Sequence, residues 1–170
     1  MQKEKVLLNA VLCFLIKRDK VLLGLKTKKI GQGCWNGYGG GIEGVETPKQ
    51  AVRREMEEEA RIKILPDELE KVAIIDFHNT KSDSTIFTCR VQVYLSHQWE
   101  GEPQSTEEMA SPTWFKKEEL PLDKMMLADK EWLPIILAGK KIIADAKYGP
   151  FQKTLLGKVN ITYVDYFAYD

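Results

Sequence analysis

Apolar and polar residues alternate in two different rhythms along this chain, and the switches between them lay out its elements. Residues 6–16 and 21–26 are apolar, β-branched runs joined by Lys17-Arg18-Asp19-Lys20, which reads as a hairpin of strands. Residues 28–41 are glycine-rich and read as a loop with short extended pieces. The rhythm then turns helical: Ala51, Val52, Met56 and Ala60 form one apolar stripe. Thr47 stands as N-cap, Pro48 as the first helical residue, and Gln50 completes a capping box. Residues 72–78 and 85–95 return to strand patterning on either side of the turn signal Asn79-Thr80-Lys81-Ser82-Asp83-Ser84. Residues 112–115 form a short extended segment. Residues 129–138 read as a helix stopped by Gly139, with Pro134 near enough to its start to be tolerated. Residues 140–147 and 153–167, rich in Ile, Val and Tyr, read as a closing hairpin. With strands outnumbering helices, the pattern predicts a mixed α/β sandwich.

The polar side of the first helix carries the chemistry. Glu55, Glu58 and Glu59 stand at i, i+3 and i+4, so their side chains leave the helix from one stripe. Like charges this close repel, and a fold keeps them when something positive sits between them. Carboxylate oxygens suit hard cations such as Mg2+ or Mn2+. Glycines upstream let backbone approach a bound group. Together these features read as a divalent-metal site for a phosphate substrate. Glu57 reads as an ordinary solvated helix residue.

Composition narrows the classes. At 170 residues, with 44% hydrophobic and 29% charged residues, the chain fits one globular domain spanning residues 1–170. Its 25 acids balance 25 bases, so no global field recruits nucleic acid. The apolar N-terminal run is broken by Asn9, is too short to span a bilayer, and reads as a buried first strand. Cys13, Cys34 and Cys89 show no paired spacing and fit free thiols of a reducing cytoplasm. A monomer or weak homodimer is expected. His78 and His97 fit no metal-ligand spacing, and Trp99, Trp114 and Trp132 read as core or rim aromatics.

The spacing Gly40, five residues, Glu46, seven residues, Arg54-Glu55-Met56, one residue, Glu58-Glu59 is long and specific, and it resembles the Nudix box. One position departs: Arg61 stands where the pattern ends in glycine, which predicts a shifted helix end with the carboxylate set intact. The likeness extends over residues 21–141. It takes in Gly33-Cys34-Trp35-Asn36-Gly37-Tyr38-Gly39-Gly40 before the box and residues 107–134 after it. It is nearest to MutT-type members that act on oxidised purine nucleotides.

This resemblance implies a Nudix α/β/α sandwich with a mixed sheet, a Mg2+ requirement, and hydrolysis of nucleoside triphosphates such as 8-oxo-dGTP to monophosphate and pyrophosphate. It also implies roles. Glu55, Glu58, Glu59 and the Gly40 carbonyl would hold the metal, with Glu108 as a fourth carboxylate and Glu107 as the alternative. Arg54 and Glu46 would pair and brace the loop onto the helix. Asn36 and Asp129 would read the purine edge, although an Asn between Trp and Gly also suits a local turn. Met126 would pack on the base, and Lys26 would close the pocket or meet a phosphate. Ala128 stands where a second acid is expected, and Met126 where an aromatic is. Another nucleoside diphosphate derivative, such as a sugar nucleotide or dinucleotide, therefore stays open as substrate. A non-catalytic nucleotide sensor would show a broken carboxylate set or an attached DNA-binding domain, and the sequence has neither.

Overall fold

The computed structural model describes residues 4–168. Its first strand, β1 (Asn9–Lys17), shows why the opening run is apolar at successive positions. Val11, Cys13 and Leu15 point into one hydrophobic cluster, while Phe14 and Ile16 point into another on the opposite face. A strand buried on both faces needs no polar alternation. β1 begins at Asn9 and not at residue 6; Val6 and Leu8 are exposed.

The remaining elements follow as β2 (Lys20–Lys26), β3 (Trp35–Asn36), β4 (Tyr38–Gly41), α1 (Pro48–Ala60), β5 (Leu69–Thr80), β6 (Ile86–Ser96), β7 (Met109–Lys116), α2 (Asp129–Leu137), β8 (Lys141–Tyr148) and β9 (Asn160–Val164). Among the described residues the nine strands run β3-β2-β1-β6-β5-β8-β9, with β4 also paired to β1 and β7 to β2. The β1–β6 and β5–β8 pairs are parallel and the others antiparallel, so the sheet is mixed. α1 covers one face through Ala51, Val52 and Met56. α2 covers the other through Trp132, Leu133 and Ile136. Burying each of these larger side chains contributes roughly 1.5–3 kcal/mol. No helix among the described residues is long and apolar enough to cross a membrane.

Two local expectations change. The closing hairpin is β8 with β9, but β9 covers only Asn160–Val164, because a 3-10 turn at Pro150–Gln152 interrupts the chain first. The end of α1 is not shifted. The helix stops at Ala60, and Arg61 itself adopts the left-handed conformation (φ 60°, ψ 35°) that a glycine would take there. Its N–H donates to the Glu57 carbonyl at 3.1 Å, and that of Ile62 to the Met56 carbonyl at 3.2 Å. Two satisfied helix carbonyls and the buried Ile62 offset the roughly 1 kcal/mol cost of left-handed backbone at a residue with a Cβ.

Candidate functional site

α1 is fixed at its start by the expected capping box. Thr47 Oγ1 accepts from the Gln50 N–H at 3.2 Å, and Gln50 Oε1 from the Thr47 N–H at 2.9 Å. From that anchor Glu55 and Glu59 run into the seam between the helix and β4, where both are buried. The glycines of β4 make room for them. A Cβ on Gly40 would lie 2.4 Å from Glu55 Oε1, so a side chain there would push the Glu55 carboxylate out of its place. The Gly39 N–H donates to Glu59 Oε2 at 3.3 Å.

Glu58 does not join this pair. At 100° per residue it lies about 100° around the helix from Glu59, and its side chain is 59% exposed. The positive group among these acids is Arg54. Its Nε and Nη2 donate to the two carboxylate oxygens of Glu46, both at 2.9 Å. Nη2 also reaches the Gly41 carbonyl at 2.9 Å. Nη1 reaches Glu55 Oε1 at 2.9 Å and Glu58 Oε2 at 3.3 Å. The expected Arg54–Glu46 brace is therefore present as a two-pronged pair, and the same guanidinium partly neutralises the metal-site candidates. It holds the Glu46 carboxyl below the usual carboxylate range. Burial raises Glu55, and burial together with the charge of Glu55 pushes Glu59 up to about 8.

The loop before β7 closes this end. The Thr27 N–H donates to the Glu108 carbonyl at 3.1 Å, and Lys29 Nζ meets Glu108 Oε1 at 3.0 Å. Glu107, the alternative fourth acid, pairs with Lys28 at 3.2 Å and is 89% exposed. The Glu108 charge acts on both Glu55 and Glu59. Lys26 is pushed down by burial and drawn back up by Glu59. Among the described residues, no three His, Cys, Asp or Glu side chains converge as a ready cation cage. The compact part of the expected set is Glu55, Glu59 and Gly40, with Glu108 and Lys26 within electrostatic reach and Glu58 turned outward.

The expected base-reading residues gather less tightly. Asn36 Oδ1 accepts the Gly37 N–H at 2.8 Å, the local turn contact that its neighbours suggested, which leaves its NH2 group to offer. Met126 is half-buried, and its sulfur lies close to Gly31 at the rim of the glycine loop. Asp129, the first residue of α2, is buried. Burial pushes its carboxyl up to about 7, opposed by the Met126 backbone and the Trp132 indole. That indole N–H lies near enough to act on the carboxyl but beyond hydrogen-bond distance of it. The charge of Asp129 reaches Cys34, which brings the glycine loop and the start of α2 together. Lys29 and Tyr148 were not singled out by the sequence, and Cys34 only as a free thiol within the motif before the box, with no role at the site. The basic run Lys26-Thr27-Lys28-Lys29 was a visible signal for the first, and the other two carried none. His78 is half-buried beside Thr88, at 2.8 Å. Trp99 and Trp114 stack with centroids 5.7 Å apart, and Trp132 is in the core.

Residues 6–135 match the NUDIX domain. The chain belongs to the Nudix family. This Nudix chain is 33% identical over 137 residues to the oxidized purine nucleoside triphosphate hydrolase of Danio rerio, spanning 81% of this chain and 84% of that protein. The Mus musculus protein of the same name is 32% identical over 145 residues, 85% of this chain and 88% of that one. In three dimensions the chain resembles the crystal structure of a MutT protein from Bacillus halodurans, with a TM-score of 0.74 at 26% identity, over 91% of this chain and 97% of that one. Nudix hydrolases generally use divalent cations such as Mg2+ or Mn2+. The residues here fit such an ion. Two buried carboxylates pressed against a glycine backbone supply hard oxygen donors, and their mutual repulsion is what a bound cation would relieve.

Proposed function

We propose that this protein is a Mg2+-dependent hydrolase, active also with Mn2+, that converts oxidised purine nucleoside triphosphates such as 8-oxo-dGTP to the monophosphate and pyrophosphate, and so clears damaged nucleotides from the pool. The observation that carries the reading is the buried Glu55–Glu59 pair against Gly40, clamped through Arg54 to Glu46. Two relatives that bear the oxidized purine triphosphatase name support it over more than four-fifths of the chain.

In this reading Glu55, Glu59 and the Gly40 carbonyl hold the cation, with Glu108 and Glu58 turning in to complete its shell. When bound, a divalent ion polarises a phosphoryl group and makes hydroxide available near neutral pH. Arg54 keeps the loop at residues 41–46 on the helix, so the acids stay in place. Lys26 faces the negative charge of the triphosphate. Asn36 offers its NH2 group and Asp129 its carboxyl to the purine edge, and Met126 packs on the ring. We place the protein in the cytoplasm, in keeping with its three free cysteines, as a monomer or weak homodimer that binds a nucleotide and neither nucleic acid nor membrane.

A substrate panel with Mg2+ tests this, scoring pyrophosphate against orthophosphate. Release of pyrophosphate, fastest from 8-oxo-dGTP, is the expected result. A second reading is favoured by Ala128, which leaves Asp129 as a lone acid. There the same residues cleave another nucleoside diphosphate derivative, and a sugar nucleotide or dinucleotide would outrun every triphosphate in the panel.

A further inference from the structure

We propose that Tyr148 is a positioning residue for base recognition, its hydroxyl holding the Ala128–Asp129 corner where the nucleotide base is read. This rests on the assignment of Asp129 as a base reader. Tyr148 ends β8, lies 1% exposed, and stacks on Phe77 with centroids 6.0 Å apart and planes 24° apart. Its hydroxyl oxygen accepts the Ala128 N–H at 2.9 Å. Burial keeps that hydroxyl protonated, so it grips the corner with a lone pair and still has a hydrogen to donate.

Besides this bond the corner is held by core burial of Ala128 and by backbone alone, the Asp129 N–H donating to the Met126 carbonyl at 3.0 Å. Ala128 is the N-cap of α2 and offers no side-chain cap, unlike Thr47 on α1. Another side-chain tie of α2 lies further along, where Glu131 Oε1 accepts the Val159 N–H at 3.1 Å. Tyr148, by contrast, is held from several sides. Thr80 Oγ1 donates to its carbonyl at 2.9 Å. The Gly149 N–H donates to the Thr154 carbonyl at 2.9 Å. Gln152 Nε2 donates to Oδ1 of Asn79, the cross-strand neighbour of Tyr148, at 2.8 Å. Reaching Asn79 takes left-handed backbone at both Phe151 (φ 58°) and Gln152 (φ 56°), conformations that non-glycine residues adopt sparingly. A firmly set strand end thus fixes an otherwise weakly capped helix entrance that carries a buried acid.

The test is Tyr148→Phe, which keeps the ring and its stacking but removes the bond. Its kcat/KM is expected to fall about tenfold for 8-oxo-dGTP, mainly through KM, with less than a twofold change for a pyrimidine triphosphate. Glu131→Ala, which loosens α2 elsewhere, should leave the purine-to-pyrimidine ratio unchanged. Equal losses of Tyr148→Phe on purine and pyrimidine would overturn the proposal by showing a general structural role. So would an unchanged ratio in Tyr148→Phe while Asp129→Ala lowers it, and base reading by Asp129 would then still stand. An unchanged ratio in Asp129→Ala would overturn that assignment, and this proposal with it. Amide exchange in the wild-type protein needs no variant: a slowly exchanging Ala128 N–H supports the bond, and one that exchanges like an open loop refutes it.

Discussion

Glu59 on α1 and Asp129 on α2 are both buried acids, pushed up to about 8 and about 7 respectively, yet the structure holds them in opposite ways. Glu59 comes off a helix that is fully capped at its start and clamped by Arg54 to the preceding loop. It shares its seam with another acid, so its carboxyl is destabilised both by burial and by a like charge. Asp129 opens a helix whose N-cap is an alanine, and its carboxyl is raised by burial, with no like charge beside it, and drawn down by the Met126 backbone and the nearby Trp132 indole. The first arrangement waits for positive charge. The second suits a carboxyl that gives or takes one hydrogen bond near neutral pH. One fold thus carries a charge-dependent end and a hydrogen-bonding end, and the two should respond to different perturbations.

The largest effect should come from removing charge at the first end. Glu59→Gln keeps shape and helix propensity, and is expected to lower turnover by at least ~100-fold through loss of cation-based stabilisation. Steady-state rates on protein shown to be folded by circular dichroism decide it. A near-normal rate would remove Glu59 from the metal site and with it the contrast between the two ends.

That first end was legible in the sequence because everything it needs lies within the stretch from Gly40 to Glu59, where helix geometry converts spacing into position. The capping box and the shared side of Glu55 and Glu59 follow from it and the Arg54–Glu46 brace from the resemblance to the Nudix box, whereas the burial of the two acids appears only in the fold. The outward turn of Glu58 was less visible, because the i+3 neighbour shares a stripe only loosely and Arg54 draws it away. The second end is assembled from three distant stretches: the glycine loop at Cys34, the start of α2 and the end of β8. No local periodicity marks such a meeting, so Tyr148, one residue past the strand expected at 140–147, received no role. The sheet order itself, with β8 parallel to β5, lies beyond any hairpin reading, since parallel partners are joined through long crossovers.

A smaller effect separates the two ends by pH. An acid with a raised folded pKa keeps, when folded, a proton that the unfolded chain has already lost, so stability falls as pH rises from the unfolded value to the folded one. For Glu59 that window runs from 4.5 to about 8, and for Asp129 from 3.8 to about 7. In EDTA the protein is expected to be less stable at about pH 8 than at about pH 5.5, by an order of 2 kcal/mol. Mg2+ should recover the Glu59 share of the loss at the higher pH and do little at the lower one, because only ionised carboxylates bind it. Glu59→Gln should flatten the slope from its upper side. Thermal unfolding with and without Mg2+ measures this, and a slope that survives Glu59→Gln unchanged would assign the raised pKa to another group.

The smallest effect tests the one departure from the box. Arg61 sits in left-handed backbone (φ 60°) with its N–H bonded to the helix, and its side chain is exposed. Glycine adopts this conformation without Cβ strain but loses more entropy on folding. Because the conformation is already that of the missing glycine, relief of strain should prevail, and Arg61→Gly is expected to stabilise the protein by no more than ~1 kcal/mol. Turnover should hardly change, since the helix already ends where the carboxylates need it to. Denaturant midpoints measure the first quantity and steady-state rates the second. A severalfold gain in turnover would mean that the arginine distorts the end of α1 enough to misplace Glu58 and Glu59. The charge-dependent end would then be less firmly set than its clamp suggests.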